Sequence, residues 1–446
     1  MVGGIPSRVL VVGLGRSGVA AARLAAADGA EVVVTDLRQP DELGTALDRL
    51  PDGVERALGG HPERCLDGVD LVVVSPGVPP AAPLLVGARS RRLEVVTEVE
   101  FAWRHRPDAP LAAVTGSNGK STVTTLIADM LSRSGVAAVA GGNLGTAASE
   151  LVQAGGWQAW VLEVSSFQAE LLGSMAPDAA VFLNLSQDHL ERHADLADYL
   201  AAKRRLFAFQ TAGDTAVLNA DDPASAGTAT AAKRRLFSIE ARADAWLDGD
   251  RLMLDGDELT SAGRVRMTGA HNLANVLAAA LAASVLGADR EAIATAAATF
   301  DGLPHRHRTV HSSGGVRFVD DSKATNVGAT LAALRGYPEG SLHLILGGQA
   351  KGQDVTVLGN EIRRTVARLY VIGVDGAVIA DQLAGAAPIE RCGTLDEAVR
   401  RARAHAVRGQ TVLLAPACAS FDQFSGYHER GEVFAALARE EVAACP

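Results

Sequence analysis

A glycine loop between a strand-like run and a helix-like run constrains this chain more than any other feature. The run RVLVVG leads into GLGRSG at residues 13–18, and the Ala-rich run VAAARLAAADG follows. A second apolar run, EVVVTD, ends in Asp36, 18 residues after Gly18. This pattern is typical of the βαβ unit of a dinucleotide-binding, Rossmann-like domain, in which the loop holds a diphosphate at a helix N-terminus. Taken alone, it favours a nicotinamide-dependent dehydrogenase.

The same alternation of short Val/Leu runs with helical runs continues along the chain. A Pro-bearing linker at 105–110 precedes the strand-like LAAVTG, and DGLPHRHR precedes a third alternating segment. A chain of 446 residues is too long for one typical domain. The alternation predicts α/β folding with mostly parallel sheets. We therefore expect three domains, at residues 1–98, 99–302 and 303–446.

Composition excludes several classes of partner. The net charge is −10 and no dense basic patch occurs, so no nucleic-acid partner is expected. The most apolar run, VLAAALAASVLGA, is too short to cross a bilayer, and the N-terminus lacks a signal-peptide layout. The four cysteines, Cys65, Cys392, Cys418 and Cys445, show neither metal-type spacing nor a disulfide framework. We expect a cytoplasmic protein without membrane insertion.

Lysine is scarce. Lysine and arginine together number 42, and the only lysines are Lys120, Lys203, Lys233, Lys323 and Lys351. Arginine evidently supplies the general surface charge. A remaining lysine then marks a position that needs a compact amine able to lose its proton, unless these rare residues are scattered by chance.

A second phosphate loop, VTGSNGKST, occupies residues 114–122. It stands between a strand-like run and the helical run TVTTLIADMLSRSG. The glycines let backbone N–H groups face a polyphosphate, the lysine reaches the terminal phosphates, and the following hydroxyl binds Mg²⁺. Val114 stands where a full P-loop has its first glycine. The segment predicts a nucleotide-binding central domain of the P-loop ATPase type.

Three downstream residues are candidates for the metal and the chemistry. Glu163 ends the strand-like WVLE, although an acid at a strand end can be merely solvated or ion-paired. His189 follows another strand end beside Asp188, and nearby His193 favours a metal or phosphate site there. Lys203 lies 14 residues further on. A buried amine can be neutral and can then react with carbon dioxide to form a carbamate, an anionic oxygen ligand for Mg²⁺.

The heptapeptide AAKRRLF occurs twice, at 201–207 and at 231–237. Two copies with unlike flanks do not make a repeat architecture, so we treat the second copy as coincidence. Lys233 leads into the strand-like RLFSIE, and no acidic or histidine motif precedes it. We expect Lys233 to be a surface charge.

Long motifs in all three segments resemble the Mur ligase family. They are TGSNGKST, LEVSSFQ, NLSQDH, GAHNLANVLAA, GLPHR, DDSKATN, LGGQAKG and PACASFDQF. The SSFQ form, the SPG loop at 75–77 and the DQF tail favour the branch that adds D-glutamate. The resemblance implies an ATP-dependent amide ligase of cytoplasmic peptidoglycan precursor synthesis. ATP would phosphorylate the carboxylate of UDP-N-acetylmuramoyl-L-alanine, and the amine of D-glutamate would attack the acyl phosphate.

The resemblance also implies a role for each matching position. For ATP they are Gly116, Ser117, Asn118, Gly119, Lys120, Ser121, Thr122, Asn272, Asn275, Arg306, Asp321 and Lys323. For two Mg²⁺ ions they are Ser121, Glu163, His189 and carbamylated Lys203, of which the last three join Lys120 as catalytic residues. For the UDP substrate, bound by the first domain and the central loops, they are Gly15, Arg16, Ser17, Asp36, Arg38, Ser75, Gly77, Asn143, Gln168 and His189. For D-glutamate they are Arg306, Thr325, Lys351, Ser420 and Tyr427.

Alternatives stay open at this stage. Arg306 and His305 could instead pin an interdomain hinge, His271 could be mere packing, and Ser420 could cap a helix. Tyr427 stands where the family can have phenylalanine. The chain could add another amino acid or extend folate, could be the dehydrogenase that the first loop favours, or could be a nucleotide-binding regulatory module. A monomer is expected.

Overall fold

The computed structural model describes residues 6–189, 192–267 and 269–440. The chain divides into two compact units. One comprises residues 1–185, 189–260 and 276–296, and the other comprises 186–188, 261–275 and 297–446. The first domain and most of the second lie in the first unit, whereas residues 186–188, 261–275 and the third domain lie in the second. Among the described residues, no helix is both long and apolar enough to cross a membrane.

The first domain is a parallel five-stranded sheet in the order β3-β2-β1-β4-β5. Its strands are β1 (Arg8–Val12), β2 (Glu31–Asp36), β3 (Glu55–Leu58), β4 (Leu71–Val74) and β5 (Glu94–Thr97). Its helices are α1 (Arg16–Ala27), α2 (Pro40–Leu43), α3 (Thr45–Asp48), α4 (Pro83–Ser90) and α5 (Glu98–His105), with a 3₁₀ turn at Glu63–Leu66. Val9 and Val11 pack under α1, whereas Leu10 and Val12 pack under α4. Because successive strand residues face opposite sides, this continuous apolar run fills both cores.

The second domain contains a nine-stranded sheet in the order β14-β13-β12-β11-β10-β9-β6-β8-β7. Its strands are β6 (Leu111–Thr115), β7 (Ala138–Gly142), β8 (Ala159–Glu163), β9 (Ala179–Phe182), β10 (Thr215–Asn219), β11 (Lys233–Ser238), β12 (Ala245–Asp248), β13 (Arg251–Leu254) and β14 (Asp257–Ser261). β6 to β12 pair in parallel, and β13 runs antiparallel to β12. The helices are α6 (Lys120–Arg133), α7 (Ala148–Ala154), α8 (Ser166–Ala169), α9 (Leu196–Arg204), α10 (Pro223–Ala226), α11 (Ala270–Val285) and α12 (Arg290–Thr299), with 3₁₀ turns at Arg205–Phe207 and Ala262–Arg264.

The third domain is a six-stranded sheet in the order β15-β16-β20-β17-β18-β19, and only its edge pair β15/β16 is antiparallel in the described residues. The strands are β15 (Arg308–Ser313), β16 (Val316–Asp320), β17 (Leu342–Gly347), β18 (Val366–Ile372), β19 (Ile389–Gly393) and β20 (Thr411–Leu414). The helices are α13 (Val327–Leu334), α14 (Gly359–Thr365), α15 (Gly376–Gln382), α16 (Leu395–His405) and α17 (Tyr427–Arg439), with a 3₁₀ turn at Val355–Leu358. The predicted α/β architecture with mostly parallel sheets is confirmed. The predicted domain limits stay predictions.

Both predicted glycine loops connect a strand to a helix N-terminus. In the first loop, a Cβ at Gly18 would lie 1.8 Å from the carbonyl oxygen of Gly13, so only glycine lets α1 pack this close to the turn. In the second loop, Gly119 precedes α6 with φ +85°, a conformation that side chains rarely adopt. Each loop thus presents a helix N-terminus at the carboxyl edge of its sheet, where anions bind in such folds.

Candidate active site

The glycine loop of the first domain lines a cavity of about 300 Å³. All seven residues assigned to the UDP group in this domain meet there. The lining is Gly13, Gly15, Arg16, Ser17, Asp36, Arg38, Ser75, Pro76, Gly77 and Val78. The Ser75 hydroxyl donates to the carbonyl oxygen of Gly13 at 2.7 Å and so fixes the loop that follows β4 against the glycine turn. The cavity combines a helix N-terminus with one acidic and two basic side chains, which suits a nucleoside diphosphate.

Asp36 is a fixed anion at the end of β2. One carboxylate oxygen accepts the backbone N–H of Leu14 at 2.6 Å, and both oxygens accept N–H groups of the Arg38 guanidinium at 2.9–3.0 Å. Burial acts to raise its pKa, but Arg38 and the backbone donors outweigh it and hold that pKa at about 2. Asp36 is therefore ionised at neutral pH and is oriented by groups from two segments.

The phosphate loop of the central domain is held by its lysine and by the chain after β9. Lys120 Nζ donates to the carbonyl oxygens of Gly116 and Ser117, each at 2.9 Å. Asn184 accepts the backbone N–H groups of Ser117 and Asn118 at 2.9 Å. The Lys120 amine and the N-terminus of α6 therefore lie beside the same loop, as the sequence predicts for a polyphosphate site.

Glu163 joins that loop to a neighbouring one. Its Oε2 accepts the Ser121 hydroxyl in a short hydrogen bond, and its Oε1 accepts the Asn143 amide at 2.6 Å. Glu163 is 3% exposed, so it is not merely a solvated acid at a strand end. Carboxylate and hydroxyl oxygens are the ligands that Mg²⁺ prefers, and the Ser121–Glu163 pair fits such an ion.

Lys203 lies beneath the phosphate loop. Its side chain is 1% exposed, and Nζ donates to the carbonyl oxygen of Gly116 at 2.8 Å, the oxygen that Lys120 also contacts. Nζ also lies 4.3 Å from the centre of the Tyr199 ring. Lys233, in the second copy of the heptapeptide, is exposed at the start of β11. The two copies therefore place the same lysine in opposite environments.

The two histidines after β9 differ in their surroundings. His189 is half-buried, has φ +55°, and its ring centre lies 5.0 Å from that of Phe167. His193 is buried, with one ring nitrogen 3.0 Å from the Ser166 hydroxyl and the other 3.3 Å from Asp198. His193 thus fixes its segment to α8. In the described part of the chain, no three His, Cys, Asp or Glu side chains gather as a metal site.

Gln168 is also engaged within α8. Its side-chain oxygen accepts the backbone N–H of Ser165 at 3.0 Å, and its carbonyl oxygen accepts the Thr97 hydroxyl at 3.0 Å. Gln168 and Asn143 follow β8 and β7, two neighbouring strands of the central sheet. Their backbones therefore lie along one sheet edge together with Glu163.

Most candidate residues of the third domain lie on loops after β16, β17 and β20, whereas Arg306 precedes β15 and Tyr427 is the first residue of α17. Asp321 lies 3.4 Å from a ring nitrogen of His307, and Lys323 Nζ lies 4.2 Å from the centre of the Tyr427 ring. Lys351 is exposed with φ +51°, and Ser420 is 2% exposed. Thr325 and Arg306 are half-buried. The loops after β16, β17 and β20 lie at the carboxyl ends of those strands.

The structure gives evidence on the alternative roles of Ser420, His305 and His271. Ser420 does not cap α17, whose N-cap is Gly426. His305 Nδ1 lies 2.6 Å from Asp320, which raises the pKa of that histidine and fixes it to its own sheet. Burial lowers the pKa of His271 to about 4, with a further contribution from His307, so His271 is neutral and packed. Beside it, the Asn275 amide donates to the Asn272 side-chain oxygen at 3.2 Å within α11.

Sequence reasoning gave no role to Arg430. Arg430 is 1% exposed and donates to the Ser322 hydroxyl at 2.9 Å and to the carbonyl oxygens of Ser322 and Cys418. It thereby ties the loop of Asp321 and Lys323 to the loop of Ser420. Burial lowers its pKa to about 10. Cys65, Cys392 and Cys418 are free thiols, and Cys445 lies outside the described residues.

The chain matches known proteins along most of its length. Three family models match: the MurD-like N-terminal domain at residues 7–97, the Mur ligase middle domain at 114–283 and the Mur ligase glutamate ligase domain at 305–418. A protein of Solibacter usitatus is 44% identical over 96% of both chains, and one of Anaeromyxobacter dehalogenans is 44% identical over 98% of both. Both are named UDP-N-acetylmuramoylalanine–D-glutamate ligase.

Solved structures show the same fold at lower identity. MurF of Acinetobacter baumannii aligns with a TM-score of 0.61 at 15% identity and covers 97% of this chain and 93% of its own. UDP-N-acetylmuramate-alanine ligase of Thermotoga maritima aligns with a TM-score of 0.59 at 17% identity, over 96% and 98%. Family models match all three domains, and relatives of nearly full length are 44% identical, so the chain belongs to the Mur ligase family.

Proposed function

We propose that this protein is an ATP-dependent ligase that adds D-glutamate to UDP-N-acetylmuramoyl-L-alanine in cytoplasmic peptidoglycan precursor synthesis. The observation that carries the proposal is 44% identity, over almost the entire length of both chains, to relatives named for this reaction. The products are the amide, ADP and phosphate. These relatives favour the ligase over the dehydrogenase that the first loop suggests and over a nucleotide-binding regulatory module.

The first-domain cavity supports the UDP part of the proposal. Gly15, Arg16 and Ser17 line the cavity and would present the N-terminus of α1 and a cation to the diphosphate, while Asp36 and Arg38 would lie near the uridine. Ser75 and Gly77 approach from the loop after β4. Asn143 and Gln168 would hold the muramoyl-alanine end, beside the central phosphate loop.

The phosphate loop supports ATP binding and phosphoryl transfer. Residues 116–122 would cradle the phosphates, and Lys120 and the N-terminus of α6 would neutralise their charge. Asn272 and Asn275 would hold the adenine side, Asp321 and Lys323 would hold the ribose and phosphates, and Arg306 would also contact ATP. Positioning and charge neutralisation supply most of the catalysis in such transfers.

Two Mg²⁺ ions and a carbamate on Lys203 complete the proposed centre. Bound Mg²⁺ would polarise the phosphoryl oxygens and neutralise charge on the substrate carboxylate. Ser121 would hold the first ion, and Glu163, His189 and carbamylated Lys203 would surround the second. The support is the oxygen donor pair Ser121–Glu163 and the burial of Lys203 under the same loop.

D-Glutamate would bind to the third domain. Lys351 and Arg306 supply two cations for a dicarboxylate, and Thr325, Ser420 and Tyr427 supply hydroxyl groups. The hydroxyl of Tyr427 alters the pocket slightly relative to phenylalanine and does not conflict with glutamate. The glutamate amine then attacks the acyl phosphate, and phosphate leaves as the amide forms.

ADP release, measured with each substrate omitted in turn, tests the proposal. We expect turnover only when ATP, Mg²⁺, UDP-N-acetylmuramoyl-L-alanine and D-glutamate are all present, and a product whose mass equals the two joined substrates less water. Turnover without an amino acid, or hydride transfer to a nicotinamide nucleotide, would contradict it.

A further inference from the structure

The side chain of Arg192 connects the first domain to the central domain. Its Nη2 donates to the carbonyl oxygen of Val78 at 3.2 Å and to Glu170 Oε2 at 2.7 Å, and its Nε donates to Glu170 Oε1 at 3.3 Å. Val78 lies on the loop after β4 and lines the first-domain cavity, whereas Glu170 directly follows α8. One guanidinium group thus joins the backbone of the cavity to the central domain.

The Arg192 guanidinium is held in a single orientation by its neighbours. The side chains of Arg192 and Glu170 are only 12% and 14% exposed, and the guanidinium carbon lies 4.8 Å from the centre of the Phe167 ring. Two parallel N–H···O bonds to one carboxylate fix a planar guanidinium, and an aromatic face adds a cation–π contact. The contact with Val78 is therefore part of a fixed cluster and is not a solvated surface pair.

The backbone of Arg192 closes the turn of His189. The N–H groups of Arg192 and His193 both donate to the carbonyl oxygen of His189, each at 3.0 Å. The His193 ring places Nε2 3.0 Å from the Ser166 hydroxyl and Nδ1 3.7 Å from Glu170. The residue whose side chain contacts the first-domain cavity thus also shapes, through its backbone, the segment of a proposed Mg²⁺ and substrate ligand.

The cavity loop does not need Arg192 for its own shape. Ser75 N–H donates to the carbonyl oxygen of Val12 at 2.9 Å, and its hydroxyl donates to that of Gly13 at 2.7 Å. Val78 N–H donates to the carbonyl oxygen of Ser75 at 3.0 Å. All these bonds lie within the first domain. Arg192 therefore acts on where the loop lies relative to the central domain, and not on how the loop is folded.

We propose that Arg192 is a positioning residue that sets the spacing between the diphosphate pocket and the His189 turn for the complete UDP-N-acetylmuramoyl-L-alanine. UDP alone would occupy only the first-domain cavity, whereas the complete substrate would extend from that cavity to the central phosphate loop. A ligand that engages two sites at once gains affinity only when both are held at a matching separation. The inference rests on the proposed function, because it needs a substrate that reaches both domains.

Titration of the full chain with UDP and with UDP-N-acetylmuramoyl-L-alanine tests the spacing role. For R192A we expect the Kd of the complete substrate to rise about tenfold or more, and the Kd of UDP to change less than about twofold. In turnover assays, the KM for the complete substrate should rise while the KM for ATP stays near the wild-type value. R192K, which keeps the cation and loses the fork, should recover part of the lost affinity.

The matched control is R133A. Arg133 belongs to the same domain and forms an ion pair of 2.9 Å with Asp129, but both residues lie on α6. This variant is expected to keep both wild-type affinities. E170Q attacks the cluster from the other side, and we expect it to weaken binding of the complete substrate and not of UDP. If R192A does not fold, R192K and E170Q make the same comparison, because they nearly keep the volume of the cluster.

Two results would overturn the spacing role and leave the proposed function intact. One is an equal loss of affinity for UDP and for the complete substrate, which would mean that Arg192 only maintains the cavity. The other is wild-type affinity for the complete substrate in both R192A and E170Q. Failure of the wild-type protein to bind the complete substrate would instead overturn the proposed function, and the spacing role with it.

Discussion

Lys203 and Lys233 show how much of the chemistry belongs to single residues. Each is the third residue of AAKRRLF, yet Lys203 is buried against the carbonyl oxygen of Gly116 and Lys233 is exposed at the start of β11. In a chain with five lysines, one that is buried under a phosphate loop stands where arginine would serve poorly. Only a neutral amine can accept carbon dioxide.

We predict that Lys203→Arg abolishes ligase turnover while nucleotide binding stays nearly intact, because the positive charge remains and the carbamate is lost. Lys233→Arg is the matched control and is expected to retain wild-type turnover. Phosphate release measures the first effect and fluorescent-nucleotide titration the second. A carbamate signal in the ¹³C NMR spectrum of wild-type protein in ¹³C-bicarbonate, absent from Lys203→Arg, would identify the group itself. Wild-type turnover by Lys203→Arg would refute the carbamate.

Most residues of the candidate site could be named from the sequence because short motifs carry them, and their roles stay predictions. Both glycine loops, Lys120, Ser121 and Glu163 stand at strand ends that the apolar runs already mark. Glu98 and Arg430 could not be assigned a role in this way. Their roles depend on partners 51 and 108 positions away, Ser149 and Ser322, and no local pattern records such contacts.

At the scale of elements, the two copies of AAKRRLF adopt different structures. The first copy covers the end of α9 and a 3₁₀ turn, whereas the second continues into β11. The first four residues of the strand-like RLFSIE lie in β11, where β10 supplies a parallel partner from Lys233 to Phe237. Tertiary pairing, and not the intrinsic propensity of the seven residues, decides between helix and strand.

The glycine turn before α1 yields a prediction on packing. Gly18→Ala would place a Cβ 1.8 Å from Gly13 O and 2.9 Å from the Ser75 hydroxyl oxygen, so α1 must move away from the loop. Overpacking of this kind costs about 1–3 kcal/mol, and we expect a lower thermal midpoint and loss of UDP-substrate binding. Gly15→Ala is the control, since a Cβ there meets no atom within 4 Å. Equal thermal midpoints for the two variants would contradict the packing argument.

Glu98, buried at the start of α5 against Ser149 of α7, makes the stability of the protein depend on pH. Burial raises its folded-state pKa from 4.5 to about 7, so the folded protein holds a proton that the unfolded chain has already released. The contribution of Glu98 to the free energy of unfolding therefore falls as the pH rises from 4.5 to 7 and is constant outside this window. Relative to E98Q, the wild-type protein should lose about 3 kcal/mol across the window. Denaturant unfolding of both proteins at each end measures it, and parallel pH profiles would rule it out.

At the scale of the whole molecule, the candidate residues are divided between domains. The phosphate loop, Glu163 and Lys203 belong to the central domain, whereas Arg306, Thr325, Lys351 and Ser420 belong to the third. Three α/β domains could be predicted because each contains several apolar strands and Pro-bearing segments separate them. The antiparallel strand β13 of the central sheet is not among the runs that the sequence marks as strands.

This division predicts closure during the reaction. Phosphate and amino-acid groups must meet, so we expect the third domain to move toward the central domain when an ATP analogue and UDP-N-acetylmuramoyl-L-alanine bind. Small-angle scattering should then report a smaller radius of gyration than for the ligand-free protein. An unchanged radius with both ligands at saturation would count against closure.

The central claim is the choice of amino acid, and phosphate release with UDP-N-acetylmuramoyl-L-alanine, ATP and a panel of amino acids tests it most directly. The two cations Lys351 and Arg306 favour a dicarboxylate, and the full-length relatives are named for D-glutamate. We predict release with D-glutamate and little with L-glutamate, L-alanine or a diamino acid. Release with L-alanine or a diamino acid, and none with D-glutamate, would contradict the assignment.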